Sequence, residues 1–392
     1  MLQLGFNKQR STLSQEKKGS SDMAQDIQYE TFDNLQKFME IGFEAVGVPT
    51  ADAQTCARVL IESDKRGIDS HGVGRFKPIY IDRIEAGIQN VITNVEVVRE
   101  TKTTAVLDGG NGMGHVIGTQ AMQMAIDKAK EYGMGMVAVR NSTHYGIAGY
   151  YPIMAARNGM IGMTGTNARP SIAPTFGVEN MLGTNPLTIG FPTDEEFPFM
   201  IDAATSITQR GKIEHYARIG KTMPYGWVIN EDGEGVTDPD IALKGLVDGT
   251  CALAPLGGIG DELAGYKGYD YATVVEILSA ALQGGSFLHQ LSGFDANGKK
   301  QPYHLGHFFI AIDINAFTDV ANFEKTAGDI LRALRASKKA KGHDRIYTGG
   351  EKEYLAFLDR SEHGVPLNPA VRDSLTAVRD KYEIDFKFAW EK

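Results

Sequence analysis

The stretch Gly133–Tyr150, GMGMVAVRNSTHYGIAGY, constrains this chain most. Met134 to Val139 is an apolar run of strand length, bounded by Gly133 before it and by the polar Arg140-Asn141-Ser142-Thr143 after it. The pattern predicts a short buried strand, then a loop, then a helix over Ile147–Arg157. His144 then sits in the loop past a strand end, where open α/β sheets present their ligand sites. An imidazole there can give or take a proton near neutral pH, or simply hydrogen-bond its neighbours.

A second stretch, SHGVGRF at Ser70–Phe76, supplies another histidine and an arginine. It follows two predicted amphipathic helices, Thr31–Val46 and one capped by Thr50 that runs to Lys65. Phe76, Ile79, Tyr80 and Ile84 then mark the inner face of a third helix ending at Gly87. His71 and Arg75 lie near its start, a place suited to an anion. Arg75 has the planar fork that grips a carboxylate, and Ser70 is placed to orient the imidazole rather than to act as a nucleophile. No G-x-S-x-G elbow occurs.

From Val95 onward the pattern turns to strands. TTAVLDGG, a helix from Ile117 to Tyr132 and GMVAV make one βαβ unit, followed by strands at Met160–Thr164, Leu187–Phe191 and Pro198–Ala203. A helix over Gly211–Gly220, a strongly buried helix over Tyr269–Gln283, a strand over His307–Ile314 and a basic helix over Phe323–Lys339 complete this part. The glycine run GGNGMGHVIG at Gly109–Gly118 misses the G-x-G-x-x-G spacing, and no acid ends the next strand, so it reads as a tight turn and not a dinucleotide fingerprint. His304 and His307 lack the helix and glutamate of a zinc motif, so no metal site is expected. The basic run Arg332, Arg335, Lys338, Lys339, Lys341 and Arg345 is a solvated face or a nucleotide-phosphate contact, with Gly349 and Gly350 allowing close backbone approach.

Net charge and cysteine usage narrow the class. At 392 residues with a formal charge of −9, the chain is a poor candidate for nucleic acid or an anionic membrane surface. Two cysteines, Cys56 and Cys251, make no disulfide framework, and no apolar run nears the roughly 20 residues of a membrane span. A cytoplasmic home follows, with organelle targeting by the basic, polar N-terminus as the minor alternative. The expected organisation is a disordered tail over 1–26, a helical segment with site residues over 27–90, an α/β cofactor-binding domain over 91–342, and a C-terminal segment over 343–392 that packs back on the helices.

Four groups of motifs together resemble the type-2 malate/L-lactate dehydrogenase family: SHGVGRF with YIDRIEAG; VRNSTHYGIAGYY; GTNPLTIGFPT with DAATS and RGKIEHYAR; and APLGG with YKGY. The resemblance runs from Thr31 to Glu353. It implies a non-Rossmann three-layer α/β/α sandwich with a mixed sheet, and a helical domain built from both chain ends. It implies a homodimer with its site near the interface, acting on a small 2-oxo or 2-hydroxy acid with NAD or NADP. By position, His71 and His144 match the two acid/base histidines, Ser70 the serine beside the first, and Arg75 the carboxylate-binding arginine. Thr184 and Asn185 match substrate contacts. His144, Tyr145, Gly146, Asp202, Ala203, Ala204, Lys267, Gly349, Gly350 and Glu351 fall in cofactor-contacting loops. The look of the motifs is closest to the malate-active branch; lactate, sulfolactate and ureidoglycolate dehydrogenases share nearly all of these residues. Lys212 stands where imine-reducing members carry an aspartate, which weakens that branch, and the IGDELAG segment after Gly258 is longer than in many members. A non-enzymatic binding protein of the same fold would not need two histidines and an arginine together.

Overall fold

The computed structural model describes residues 26–391. The expected tail therefore lies outside the described residues except for Asp26, whose carboxylate pairs with Arg372 at 2.8 Å. The chain enters through β1 (Gln28–Glu30), α1 (Phe32–Ala45) and α2 (Thr50–Lys65). Thr31 caps α1, its Oγ1 accepting the Asn34 N–H at 3.2 Å, and the stripe Leu35, Phe38, Met39 and Phe43 is fully buried. Thr50 does not cap α2: it is the first helical residue, and Pro49 precedes it without a side-chain cap.

The third predicted helix is irregular. A tight turn at Val73–Arg75 opens into a wide π-helical stretch, Phe76–Ile81, and closes as α3 (Asp82–Glu85). Pro78 lies inside the wide stretch; it has no N–H to donate, and its ring crowds the preceding turn. The widening brings Tyr80 fully inside the protein.

The strands β2 (Glu96–Glu100) and β3 (Thr104–Asp108), helix α4 (Gly114–Tyr132) and β4 (Met134–Ser142) come next. They are followed by α5 (Tyr150–Ala156), β5 (Met160–Thr166), β6 (Leu187–Phe191) and β7 (Phe199–Ala203). Then come α6 (Arg210–Arg218), β8 (Val228–Asn230), α7 (Pro239–Asp248), β9 (Cys251–Leu253) and α8 (Gly265–Ala280). β10 (Leu305–Asp313), α9 (Val320–Ala336), α10 (Glu351–His363), β11 (Val365–Leu367) and α11 (Pro369–Lys381) end the chain.

Seven strands form one mixed sheet in the order β2-β3-β4-β10-β5-β6-β7. Only β3 and β4 are parallel, joined by α4 as the predicted βαβ unit; every other neighbour in this sheet is antiparallel. One face packs α4 and α5 through Ala121, Ala125, Val137, Val139, Tyr151, Phe309 and Ala311. The other face carries α8, which approaches so closely that a side chain at Gly306 would strike the Ser279 carbonyl. This is the three-layer α/β/α arrangement.

Both chain ends share a second core. Phe38, Phe43, Leu60 and Phe76 pack with Val365, Leu367, Leu375, Val378 and Phe388, and β1 pairs antiparallel with β11. Two expectations need correction. The helix expected from Ile147 starts at Tyr150, because Gly146 at φ +80° and the bond from Gly149 N–H to Asp202 Oδ2 at 2.8 Å hold His144–Gly149 as a loop. The helix expected to be buried over Tyr269–Gln283 is α8, and it leaves Tyr271, Val274 and Ile277 about half exposed. Among the described residues, no helix is long and apolar enough to cross a membrane.

Candidate active site

The loop that carries Ser70 and His71 is held from below. Asp64, buried at the end of α2, accepts the Val73 N–H at 2.8 Å, and its carboxyl leaves no room for a side chain at Gly72. Burial pushes the Asp64 carboxyl up to about 8, with the Val73 N–H working against it. From α10, Arg360 donates to the Asp64 carbonyl at 2.7 Å and to both carboxylate oxygens of Asp69 at 2.6 and 3.1 Å. On this base, Ser70 Oγ lies 2.8 Å from His71 Nδ1, the orienting contact read from the sequence. Arg75 turns back and donates from Nε to the Ser70 carbonyl at 2.6 Å, so it braces the loop, and its carboxylate-gripping role gains no support from this geometry.

His144 is set by a different network. Thr143 Oγ1 accepts the Gly114 N–H at 2.9 Å and donates to the Gly112 carbonyl at 2.8 Å. The glycine run before α4 therefore serves to dock the His144 loop, since any side chain at Gly114 would strike the Thr143 and His144 backbone. His144 Nδ1 lies 2.6 Å from the Tyr80 hydroxyl. The His71 and His144 rings are stacked at 5.7 Å with 22° between planes. The structure thus brings together two histidines that lie far apart in the chain.

Both imidazoles are neutral at pH 7. His71 is pushed down to about 4 by burial first and by the Arg75 charge second. His144 is held well below the ordinary histidine value by burial, then by His71, Arg83, His115 and Arg75. An anion placed between them would reverse part of this.

Beside His144 opens a cavity of about 260 Å³, lined among others by Arg83, Arg169, Thr184, Arg210 and Tyr303. The Arg83 guanidinium lies over the Tyr303 ring at 4.4 Å, a placement that orients its fork. Sequence reasoning missed these three arginines and Tyr303, although Arg83 stands inside the YIDRIEAG motif and Arg210 opens RGKIEHYAR. Thr184 lines the cavity as expected, but Asn185 does not. It is wholly buried at φ +31°, with Nδ2 donating to the Ala272 carbonyl at 3.0 Å and to Glu276 Oε2 at 2.8 Å, so its amide fixes α8. Lys212 lies over the Trp227 ring at 4.6 Å. His307 is a core residue, bonded to Thr166 Oγ1 at 2.7 Å and stacked on Tyr145 at 4.4 Å.

The expected cofactor loops gather around β7. Asp202 accepts from Gly149 N–H in the His144 loop and from Thr188 Oγ1. Beyond Ala203 and Ala204, the Leu256 N–H donates to the Thr205 carbonyl at 2.7 Å, which leads through Gly257 and Gly258 to Lys267 in the first turn of α8. Gly349 and Gly350 pack against the other end of β7, where a side chain would meet the Met200 and Pro198 carbonyls. Glu351 is occupied: its carboxylate accepts from the Thr348 N–H at 3.0 Å and pairs with Arg345. Arg332 and Arg335 of the basic run pair with Asp194 and Glu195. Tyr145 stacks inside the core, and Gly146 supplies the left-handed turn.

The sequence profile of the malate/L-lactate dehydrogenase family matches residues 31–376. A malate dehydrogenase of Pyrococcus horikoshii is 40% identical over 353 residues, covering 90% of this chain and 95% of its own. An L-sulfolactate dehydrogenase of Methanocaldococcus jannaschii is 38% identical over 324 residues, covering 82% and 88%. The crystal structure of malate dehydrogenase from Entamoeba histolytica superposes with a TM-score of 0.89 at 45% identity, over 92% of this chain and all of that one. The chain belongs to the malate/L-lactate dehydrogenase family.

Proposed function

We propose that the protein is a cytoplasmic dehydrogenase that interconverts malate and oxaloacetate with NAD or NADP. The observation that carries the dicarboxylate reading is the cavity beside His144, with Arg83, Arg169 and Arg210 on its walls. Arg210 is already paired with Glu214 at 3.0 Å; the Arg83 and Arg169 guanidinium groups on the same walls suit a small dianion, and a monoacid such as lactate would leave one of the two without an anionic partner. The volume lies below the roughly 300–1,000 Å³ of sites for larger ligands, so it suits the acid and not a whole dinucleotide.

Ser206 Oγ and Thr208 Oγ1, just past Ala204, are buried without protein partners among the described residues, and they fit a polar cofactor laid along the end of β7. Asp202–Ala204 and Lys267 border the same ground, and Gly349–Gly350 lie at the start of the same strand. When bound there, a nicotinamide dinucleotide supplies or takes the hydride at C2 of the acid. The arginines bind and orient the two carboxylates. His144 donates a hydrogen bond to the oxygen on C2, and His71, oriented by Ser70, gives or takes that oxygen's proton. As reduction proceeds, the carbonyl electron pair moves onto oxygen and collects the His71 proton.

The test is oxidation of NADH and NADPH with oxaloacetate, pyruvate, 2-oxoglutarate, sulfopyruvate, oxalurate and a cyclic imine. Oxaloacetate should lead; faster turnover of pyruvate or the imine would overturn the reading. In the same assay Arg169→Gln should raise the KM for oxaloacetate about 10- to 100-fold, the worth of one charge-assisted bond, with pyruvate changed less than threefold.

The homodimer belongs to the same proposal. Tyr271, Val274 and Ile277 of α8 and the nearby Phe287 are about half exposed, beside an apolar groove of about 510 Å³ that Ile277 and Phe287 help to line. An exposed apolar patch of this kind is normally covered, and a second copy of the chain is the proposed cover. Ile277→Lys should shift sedimentation from dimer toward monomer; an unchanged dimer would place the interface elsewhere.

A further inference from the structure

We infer that the Gly146 N–H and the Tyr80 hydroxyl together hold the His144 ring in one tautomer, with its proton on Nε2 on the side of the arginine-lined cavity, and that Tyr80 is the positioning residue that fixes the ring through its bare Nδ1. The argument is one of donors and acceptors. His144 Nδ1 has two neighbours, the Tyr80 hydroxyl at 2.6 Å and the Gly146 N–H at 3.3 Å. A backbone N–H only donates, so a proton on Nδ1 would face another proton; Nδ1 is therefore bare. The phenol is the remaining partner and must donate to it. The single proton of the neutral ring then resides on Nε2, which has no protein partner among the described residues, and His144 lines the cavity.

The surroundings keep the phenol in that role. Tyr80 is fully buried in the wide turn Phe76–Ile81, set edge-on to Phe43 at 6.1 Å and tilted against His115 at 4.5 Å. Burial pushes its ionisation far above the ordinary tyrosine value, so the hydroxyl keeps its proton at every working pH. His115, whose two ring nitrogens have no partner among the described residues, is pushed down to about 3 by burial and brings no charge to the phenol. His144 itself stays neutral under the burial and charge effects described above. A ring fixed in this way can donate to an oxygen on C2 but cannot accept its proton, which leaves proton exchange to His71. That division of labour rests on the dehydrogenase reading; the tautomer does not.

The test uses full-length protein labelled with 15N-histidine, at pH 7. Long-range 1H–15N correlations assign the His144 nitrogens by their loss in His144→Gln. Wild-type protein should show the Nε2-protonated pattern for His144, and Tyr80→Phe, which leaves the Gly146 N–H in place, should keep Nε2 protonation while the bare Nδ1 resonance moves downfield on losing its short hydrogen bond. Turnover of the 2-oxo acid by Tyr80→Phe should fall about tenfold, part of the roughly 10²–10³-fold cost of losing an oxyanion donor, while KM stays within about twofold. A wild-type proton on Nδ1 would overturn the inference even if Tyr80→Phe fails to fold. A His144 Nδ1 resonance that does not move in folded Tyr80→Phe would also overturn it. Lack of activity toward every dicarboxylate would overturn the functional proposal and leave the spectroscopic result standing.

Discussion

His71→Asn is expected to lower the turnover number for oxaloacetate reduction by about 10²–10⁴-fold, the range for loss of a general acid, with nucleotide binding unchanged. The pH dependence gives the sharper signature. In the free enzyme His71 titrates near 4, lowered by burial and then by Arg75. Reduction needs the protonated ring, so kcat/KM for the oxo acid should decline as pH rises through the neutral range. Oxidation needs the neutral ring, so kcat/KM for the hydroxy acid should be flat from about pH 5 upward. His71→Asn should abolish the slope in the reduction direction. His144→Asn should lower the rate and leave the slope in place. If His71→Asn keeps both turnover and slope while His144→Asn loses them, the two roles must be exchanged.

Acid should unfold the protein well before its carboxylates titrate fully. His71, His115, His144 and His307 all have proton affinities lowered by burial, His115 and His307 to about 3. In the unfolded chain each returns to about 6.5. Between the folded and unfolded values the unfolded chain binds more protons, so the stability present above pH 6.5 is lost as pH falls toward 4. Each histidine contributes on the order of 1.4 kcal/mol per pH unit across that window. Asp64 acts in the opposite sense: its folded value near 8 means that its contribution is full below about 3.8 and is lost as pH rises toward 8. Asp52, Asp202 and Glu276 are raised by burial too and act in the sense of Asp64, so the fall is what the four buried histidines leave over against these carboxyls. Against a total stability of about 5–15 kcal/mol, urea midpoints measured from pH 8 to pH 4 should fall steeply below pH 6.5. His115→Phe, if folded, should flatten the fall; an equal slope would show that His115 is not a contributor.

Much of this site was readable before the fold was known, and the parts that were not have a common cause. The strand that ends before His144, the turn that fails as a dinucleotide fingerprint and the Ser70–His71 contact depend on neighbours in sequence, which periodicity and spacing report. The arginine cavity depends on segments that meet only in three dimensions: Arg83 from the irregular third helix, Arg169 after β5, Arg210 at the start of α6 and Tyr303 before β10. Nothing local marks them as partners. Arg75 and Asn185, expected from the sequence as substrate contacts, also hold bonds inside the fold. Their chemistry suits a substrate, yet one is drawn to the Ser70 carbonyl and the other to Ala272 and Glu276. Those buried carbonyl and carboxylate groups needed donors, and the two side chains were near enough to supply them. Likewise the pattern over α8 gave its length roughly but not which face stays open, because the polar Glu276 and Ser279 turn inward and the apolar Tyr271, Val274 and Ile277 turn outward, the reverse of the usual rule.

The place of β10 in the sheet bears on how the protein is made. This strand, residues Leu305–Asp313, lies between β4 and β5, which were synthesised much earlier. Until it leaves the ribosome, the facing edges of β4 and β5 have no partner, and the site loop carried by β4 lacks its support. The nascent chain thus holds two open strand edges while residues 167–304 are made, a state prone to pairing with other chains. Closure requires joining segments well over a hundred residues apart in the sequence, which makes it slow. Refolding from denaturant should therefore be concentration-sensitive, with yield set by how fast β10 inserts before strangers reach the same edges.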